Sequence, residues 1–239
     1  MAWALRQSKA AGFGAATTAD AVTFDSTTLS GSLIVVVYSV QDKDLGFGAN
    51  VITATCADDA PQSYTQIRRT FSASFVAGWT LFSFYMKNAA AANTVTVTKS
   101  SACDFGRVIV MEFTGGDTTA PLDQDNGATG NSAAPSGGSV TTTADGELIV
   151  GGVMGANSDV AAGTGYTGVA GNDGYLYAEY KVQTTAGSVS AAFTQTSGEW
   201  LAHVMSFKVA GGAAATRGAP FGARGAAFNG GRTMMGLIR

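Results

Sequence analysis

An internal repeat restricts the possible folds of this chain more than any other feature. Five short blocks of the first half recur in the same order in the second half of the 239-residue chain. The matched blocks are residues 31–35 with 146–150, 63–65 with 165–167, 81–85 with 176–180, 94–96 with 188–190, and 110–113 with 204–207. The sequence separation between a block and its match decreases from 115 to 94 residues along the chain. This decrease is expected when the loops of the second copy are shorter and its strands are kept. We therefore expect two copies of one structural unit.

Each copy has the pattern of short β-strands separated by turns. Residues 32–38 form an apolar run typical of a buried strand, and residues 94–98 alternate threonine and valine with the period of two that a strand requires. No long segment carries apolar residues at helical spacing. The sequence therefore predicts an all-β fold with two tandem antiparallel β-sandwich domains of the jelly-roll or immunoglobulin-like kind. We place them at residues 1–117 and 118–210, followed by an extended C-terminal arm at residues 211–239.

Composition and charge exclude several classes of protein. Hydrophobic residues make up 46% of the chain and charged residues only 13%, so the chain has enough apolar surface to form a folded core. No apolar run reaches the roughly 18 residues of a membrane-spanning helix, and the first residues do not resemble a secretory signal. Residues 1–210 carry 10 basic and 17 acidic side chains. We expect neither a nucleic-acid partner, which such an acidic body would repel, nor a membrane partner.

The C-terminal arm differs in kind from the rest of the chain. It contains four arginines and no acid, and the Arg-Gly-Ala-Pro-Phe block at residues 217–221 is echoed seven residues later. Arginine, aromatic and methionine side chains are enriched at protein interfaces. We expect the arm to dock to other proteins, with a disordered solubilising tail as the alternative. The residues expected to dock are Arg217, Phe221, Arg224, Phe228, Arg232, Met234, Met235, Leu237 and Ile238.

Candidate catalytic and metal-binding residues are few. The only histidine, His203, lies in a strand pattern in register with Ile109 of the first copy, where a packed, hydrogen-bonded side chain is typical. Two acidic pairs stand before Tyr64, and such pairs could serve glycoside hydrolysis or bind calcium. Solvated loop acids are the plainer interpretation of these four residues, Asp42, Asp44, Asp58 and Asp59. We therefore expect no catalytic residue, no cofactor and no metal site, and expect that the chain is not an enzyme.

The remaining candidates are tryptophans and cysteines. Trp79 and Trp200 could stack on sugars, but both lie next to or inside strand patterns that favour a core position. Cys56 and Cys103 are the only cysteines. Two free thiols are the simpler interpretation, and a single disulfide is the alternative.

The order of the motifs also resembles that of a known family. A Thr/Ser/Gly-rich lead-in precedes a Gly-x-Leu-Ile-Val strand, a Tyr-Thr pair, an aromatic strand and a Thr-Val-Thr-Val strand, and a Thr-Thr-Ala-Pro-Leu-Asp link follows at residues 118–123. This order, over residues 3–208, resembles the tandem β-sandwich modules of virion and tail proteins of tailed bacteriophages and of some bacterial surface proteins.

The resemblance implies a non-enzymatic structural protein of a tailed-phage virion, either a head decoration protein or a tail component. Such a protein is made in the host cytoplasm and belongs to the virion. Its arm would anchor it to neighbouring capsid or tail subunits, and it would be a homo-oligomer in the particle. The alternative is a carbohydrate-binding adhesin that recognises host-surface glycans.

Overall fold

The part of the chain that the structure describes folds into sixteen β-strands. The structure, a computed structural model, describes residues 2–41, 52–72 and 78–211, and every regular element within these ranges is a strand. The first half contains β1 (Ala4–Phe13), β2 (Thr17–Thr23), β3 (Leu33–Gln41), β4 (Ala54–Asp58), β5 (Thr65–Ser72), β6 (Trp79–Met86), β7 (Thr94–Cys103) and β8 (Gly106–Thr114). The second half contains β9 (Leu122–Ser132), β10 (Ser136–Thr141), β11 (Glu147–Gly155), β12 (Ala161–Ala162), β13 (Thr167–Ala170), β14 (Leu176–Gln183), β15 (Ser188–Thr194) and β16 (Gly198–Phe207). In the described part of the chain, no helix has the length and apolarity to cross a membrane.

Each half consists of a five-stranded sheet and a three-stranded sheet. The first half has the orders β1-β8-β3-β6-β5 and β2-β7-β4, and the second half has β9-β16-β11-β14-β13 and β10-β15-β12. All these pairings are antiparallel. The two halves therefore share one topology, strand for strand, and the predicted all-β sandwich class is confirmed. The five matched sequence blocks lie on or beside equivalent strands of the two halves.

The inside of each sandwich is filled by the apolar side chains that alternate with polar ones along its strands. On β7, Val95 and Val97 are buried while the threonines between and beside them face outward or are half-buried. They pack against Ile34, Val36 and Phe84 of the five-stranded sheet in one apolar cluster. The second half has its own cluster in the equivalent place, formed by Val140, Ile149, Val153, Val189, Ala191, Phe193 and Val204 among others.

A third apolar cluster joins the two halves, and we call it the central interface. It lies where the two five-stranded sheets face each other, and it includes Leu33, Val35, Val37, Leu81, Ile109, Met111 and Phe113 of the first half with Leu148, Val150, Leu176, Leu201, Met205 and Phe207 of the second. Both faces of β3 and β11 are consequently buried, which explains their continuous apolar sequences. The halves thus form one body of four stacked sheets rather than two separate sandwiches.

Some strand contacts across the central interface are reciprocal, although those of β5 with β9 and β16 have no counterpart of similar extent between β13 and β1 or β8. Strand β6 lies against β11 and β16, while its counterpart β14 lies against β3 and β8. Such reciprocal contacts are what a homodimer interface has, where the same face of each subunit meets its copy. The same face of the five-stranded sheet thus forms the contact in both halves of this single chain.

The last described residues return to the link between the halves. Gly116 and Val209 form an antiparallel bridge, and the Ala210 amide donates to the Gly115 carbonyl at 2.8 Å. The C-terminal arm therefore leaves the body from a fixed point. All nine predicted docking residues of the arm lie outside the described residues, as do Asp42 and Asp44.

Candidate functional site

The most distinctive site lies at one end of the central interface, around Arg107 of β8. Its guanidinium group is 4.9 Å from the ring centroid of Trp79 in the first half and 5.0 Å from that of Tyr175 in the second. The Arg107 Nε donates to the Asp173 carboxylate at 2.6 Å. A planar cation between two aromatic faces is held by its attraction to both π systems. Both halves are therefore needed to build this site.

An open cavity of about 310 Å³ adjoins Arg107. Its walls are largely apolar, with Trp79, Phe105, Met154 and Tyr175 around Arg107, and Gln41 adds a polar group. A second cavity of about 170 Å³ shares Phe105 and Arg107 and is lined by polar groups of the second half at residues 172–173. An apolar pocket with a few fixed polar groups is the usual form of a small-molecule site.

Two features of the cavity wall are energetically unfavourable. Phe105 is 44% exposed and has a φ of +54°, in the left-handed region that a side chain disfavours. The Arg107 Nη1 is buried without a hydrogen-bond partner among the described residues, although a buried donor normally has one. Strained and unsatisfied groups tend to occur at binding sites. The Arg107 cavity is therefore the best candidate for a ligand site in the described part of the chain.

The single histidine lies within the central interface and not in a cleft. His203 Nδ1 is 2.6 Å from the Ser83 hydroxyl, and Nε2 is 2.9 Å from the Thr70 hydroxyl, both in the first half. Complete burial, together with the nearby Arg68 cation, lowers the pKa of His203 to about 3, so the ring is neutral at physiological pH. The prediction of a packed, hydrogen-bonded histidine is confirmed, and its partners show that it ties the two halves together.

The acids that could have formed a hydrolytic pair instead stabilise the backbone. Asp58 ends β4, and its Oδ1 accepts hydrogen bonds from the amides of Ala60 and Gln62 at 3.0 Å. Asp59 accepts from the Asn93 amide at 2.9 Å. Both carboxylates thus fix a turn and its neighbouring loop. No group of three or more potential metal-ligating side chains comes together within the described residues.

Buried Glu179 of β14 has a similar structural role. Its carboxylate accepts from the amides of Gly163 at 2.8 Å and Ala192 at 2.9 Å. Burial raises its pKa to about 7, since desolvation disfavours the charged form more than these two hydrogen bonds favour it. The side chain therefore connects the five-stranded and three-stranded sheets of the second half.

Of the two tryptophans considered for sugar stacking, Trp79 borders the Arg107 cavity. Trp200 packs in the core of the second half, and its Nε1 donates to the Ser132 hydroxyl at 3.0 Å. The sequence alone does not predict this cluster, because Arg107 reaches Trp79 through strand pairing within the first sheet and Tyr175 reaches Arg107 only when the two halves pack. Cys56 and Cys103 are both buried and are not joined in a disulfide, and burial raises the pKa of Cys56.

Comparisons of the chain with protein-family models, curated proteins and solved structures give no match.

Proposed function

We propose that the chain is a non-enzymatic structural subunit of a large protein particle, and that the particle is a tailed-phage virion. The observation that carries this proposal is the central interface. A continuous apolar core between two duplicated sandwiches gives a stiff body of four sheets, because tightly packed interiors resist deformation. Such a body is suited to a head decoration protein or tail component. The phage setting itself rests on the resemblance of the sequence motifs.

The C-terminal arm is the proposed anchor to neighbouring subunits. It starts from a fixed point, because the bridge between Gly116 and Val209 holds the chain just before it. The arm carries four arginines without an acid, whereas residues 1–210 have seven more acids than bases. Opposite charge favours contact between the arm of one copy and the body of another, or with a similarly acidic subunit. Many copies in one particle would gain avidity from individually weak contacts.

Removal of the arm tests this proposal. A chain ending at Gly211 should keep the melting temperature of the full chain and be missing from purified particles, because its body is intact and its anchor is lost. Incorporation is measured by mass spectrometry of gradient-purified particles. A matched control replaces the four arm arginines by lysine, which keeps the charge and should preserve at least part of the incorporation. Normal incorporation of the truncated chain would contradict the proposed anchor.

A second candidate function is carbohydrate binding at the Arg107 cavity, as in an adhesin for host-surface glycans. The supporting observation is the combination of Trp79, Phe105 and Tyr175 faces with the Arg107–Asp173 ion pair. Sugar rings present apolar faces that stack on aromatic rings, and their hydroxyls pair with charged and amide groups.

Glycan binding by the full chain tests this second function. Wild-type protein should bind at least one member of a panel of bacterial surface polysaccharides. Phe105→Ala and Tyr175→Ala should each weaken that binding about fivefold, since one aromatic contact contributes on the order of 1 kcal/mol. Leu29→Ala, at an exposed site outside the lining of the Arg107 cavity, is the control. Absence of binding across the panel, or unchanged binding in both variants, would refute the function.

A further inference from the structure

A buried lysine and a buried aspartate meet inside the first sandwich. Asp20 lies on β2 and Lys99 on β7, 79 residues apart in sequence, and the Lys99 Nζ is 2.9 Å from the Asp20 Oδ2. Both side chains are fully buried, with 0% exposed. Asp20 is opposite Val97 in the ladder, so Lys99 stands two residues further along the same inner face.

Two hydroxyl groups complete the surroundings of the carboxylate. Tyr38 of β3 donates to Asp20 Oδ2 at 2.6 Å, and Thr17 donates to Oδ1 at 2.8 Å. Burial, followed by the neighbouring Asp20 charge, raises the pKa of Tyr38, so this phenol keeps its proton and acts as a donor. Gly106 closes the site from the facing sheet, because a Cβ there would collide with Asp20 Oδ2. Four strands therefore build the site: β2 supplies Asp20 and Thr17, and β7, β3 and β8 supply the other groups.

The duplicated half shows that the sandwich does not need this ion pair to fold. Val22 pairs with Val95 in the first half as Val140 pairs with Val189 in the second, which fixes the alignment of the two sheets. By this alignment Lys99, Tyr38 and Gly106 correspond to Phe193, Val153 and Trp200. Asp20 corresponds to a β-bulge of β10 that contains Gly137 and Gly138. Phe193, Val153 and Trp200 belong to an apolar core. Burying two charges where apolar residues suffice is unfavourable by several kcal/mol per ion before their attraction is counted.

We propose that Lys99 and Asp20 condense into an intramolecular amide that covalently links β2 to β7 in the first sandwich. The inference goes beyond the proposed function and does not depend on it. A proton passes from the Lys99 ammonium to the Asp20 carboxylate, giving an amine and a carboxylic acid. The Nζ lone pair then attacks Cγ, and Nζ gives up a second proton to the departing oxygen. The Cγ–Oδ bond breaks, and that oxygen leaves as water with the two protons that came from Nζ. No oxidant, reductant or other reactant is needed.

The surroundings favour this condensation for three physical reasons. The reaction replaces two buried charges by a neutral amide, which removes the desolvation penalty of the pair. The two reacting groups are already in contact, so little orientational entropy remains to be lost. The Tyr38 and Thr17 hydroxyls donate to the two carboxylate oxygens, where negative charge develops in the tetrahedral intermediate.

Mass spectrometry of the purified full chain tests the proposal. The intact mass should be lower than the sequence mass by one water, after allowance for the N-terminal methionine. A tryptic digest should contain a branched peptide that joins the Asp20 and Lys99 segments, with no cleavage after Lys99. The exposed pair Lys9 and Asp25, at 2.6 Å with side chains 40% and 77% exposed, is an internal control that should stay unlinked because water surrounds it.

Two variants separate the link from its environment. Lys99→Met should have the full sequence mass, and Tyr38→Phe, which keeps both reacting groups, should form the link at least tenfold more slowly. If Lys99→Met fails to fold, the branched peptide of the wild-type chain still decides the question. Wild-type protein that is folded by circular dichroism and keeps the full sequence mass after prolonged incubation would overturn the proposal. Link formation at the wild-type rate in Tyr38→Phe would overturn the role given to Tyr38.

Discussion

Phe113→Ala is expected to lower the unfolding free energy by about 3–5 kcal/mol, the usual loss when a buried phenylalanine is truncated. Phe113 lies on β8 within the central interface and is fully buried. Its ring centroid is 5.3 Å from that of Tyr180 in the second half and 6.5 Å from that of Trp3. The substitution leaves a cavity between the two halves, because neither Tyr180 nor Trp3 then has a ring to pack against at this position. Urea unfolding followed by tryptophan fluorescence measures the effect.

Phe105→Ala is the matched control, because it removes the same atoms at a position that is 44% exposed. Its unfolding free energy is expected to lie within about 0.5–1 kcal/mol of the wild-type value, as for most surface substitutions. If Phe113→Ala were no more destabilising than Phe105→Ala, the two halves would not depend on the central interface for their stability.

Gly152→Val is expected to lower the unfolding free energy by about 1–3 kcal/mol or more through overpacking. Gly152 of β11 faces Val37 of β3 across the central interface, and a Cβ on Gly152 would lie 2.7 Å and 2.9 Å from the two Val37 methyl groups. Val37 is fully buried on a strand and has few rotamers to move into. The two five-stranded sheets must therefore separate to admit the new side chain.

A second substitution identifies the source of that destabilisation. Adding Val37→Ala to Gly152→Val restores space at the contact. The double variant should therefore lose less unfolding free energy than the two single variants lose together, by at least about 1 kcal/mol. Gly14→Val is the control, because an added Cβ there meets no atom within 4 Å. Strictly additive effects would show that the strain lies elsewhere than between Gly152 and Val37.

Local sequence pattern predicts the strands well, because alternation and apolar runs directly reflect which faces are buried. The threonine–valine alternation of β7 and the apolar run of β3 both lie on the strands they indicate. The run on β3 predicts burial on both faces, but it does not say what covers the second face. That cover is the equivalent sheet of the other half, and it depends on how two sheet faces fit together rather than on any local pattern.

The residues that come together at the candidate sites are even harder to predict from local sequence pattern. Trp79 is recognisable as an aromatic residue of interest, whereas Arg107 comes next to it through the strand order of the first sheet and Tyr175 through packing between the halves. The buried pair has a usable sequence pattern: Lys99 continues the inward-facing series of Val95 and Val97. A charged residue on the buried face of a strand indicates an interior partner. The identity of that partner, Asp20, follows only from the pairing of β2 with β7.

The two duplicated sandwiches pack on the shared central interface and should unfold as a single body. Differential scanning calorimetry of the full chain tests it most directly. We expect one unfolding transition whose calorimetric enthalpy equals its van't Hoff enthalpy, because the central interface couples the unfolding of both halves. Two separate transitions, each with roughly half of the total enthalpy, would contradict the claim and show two sandwiches that unfold independently.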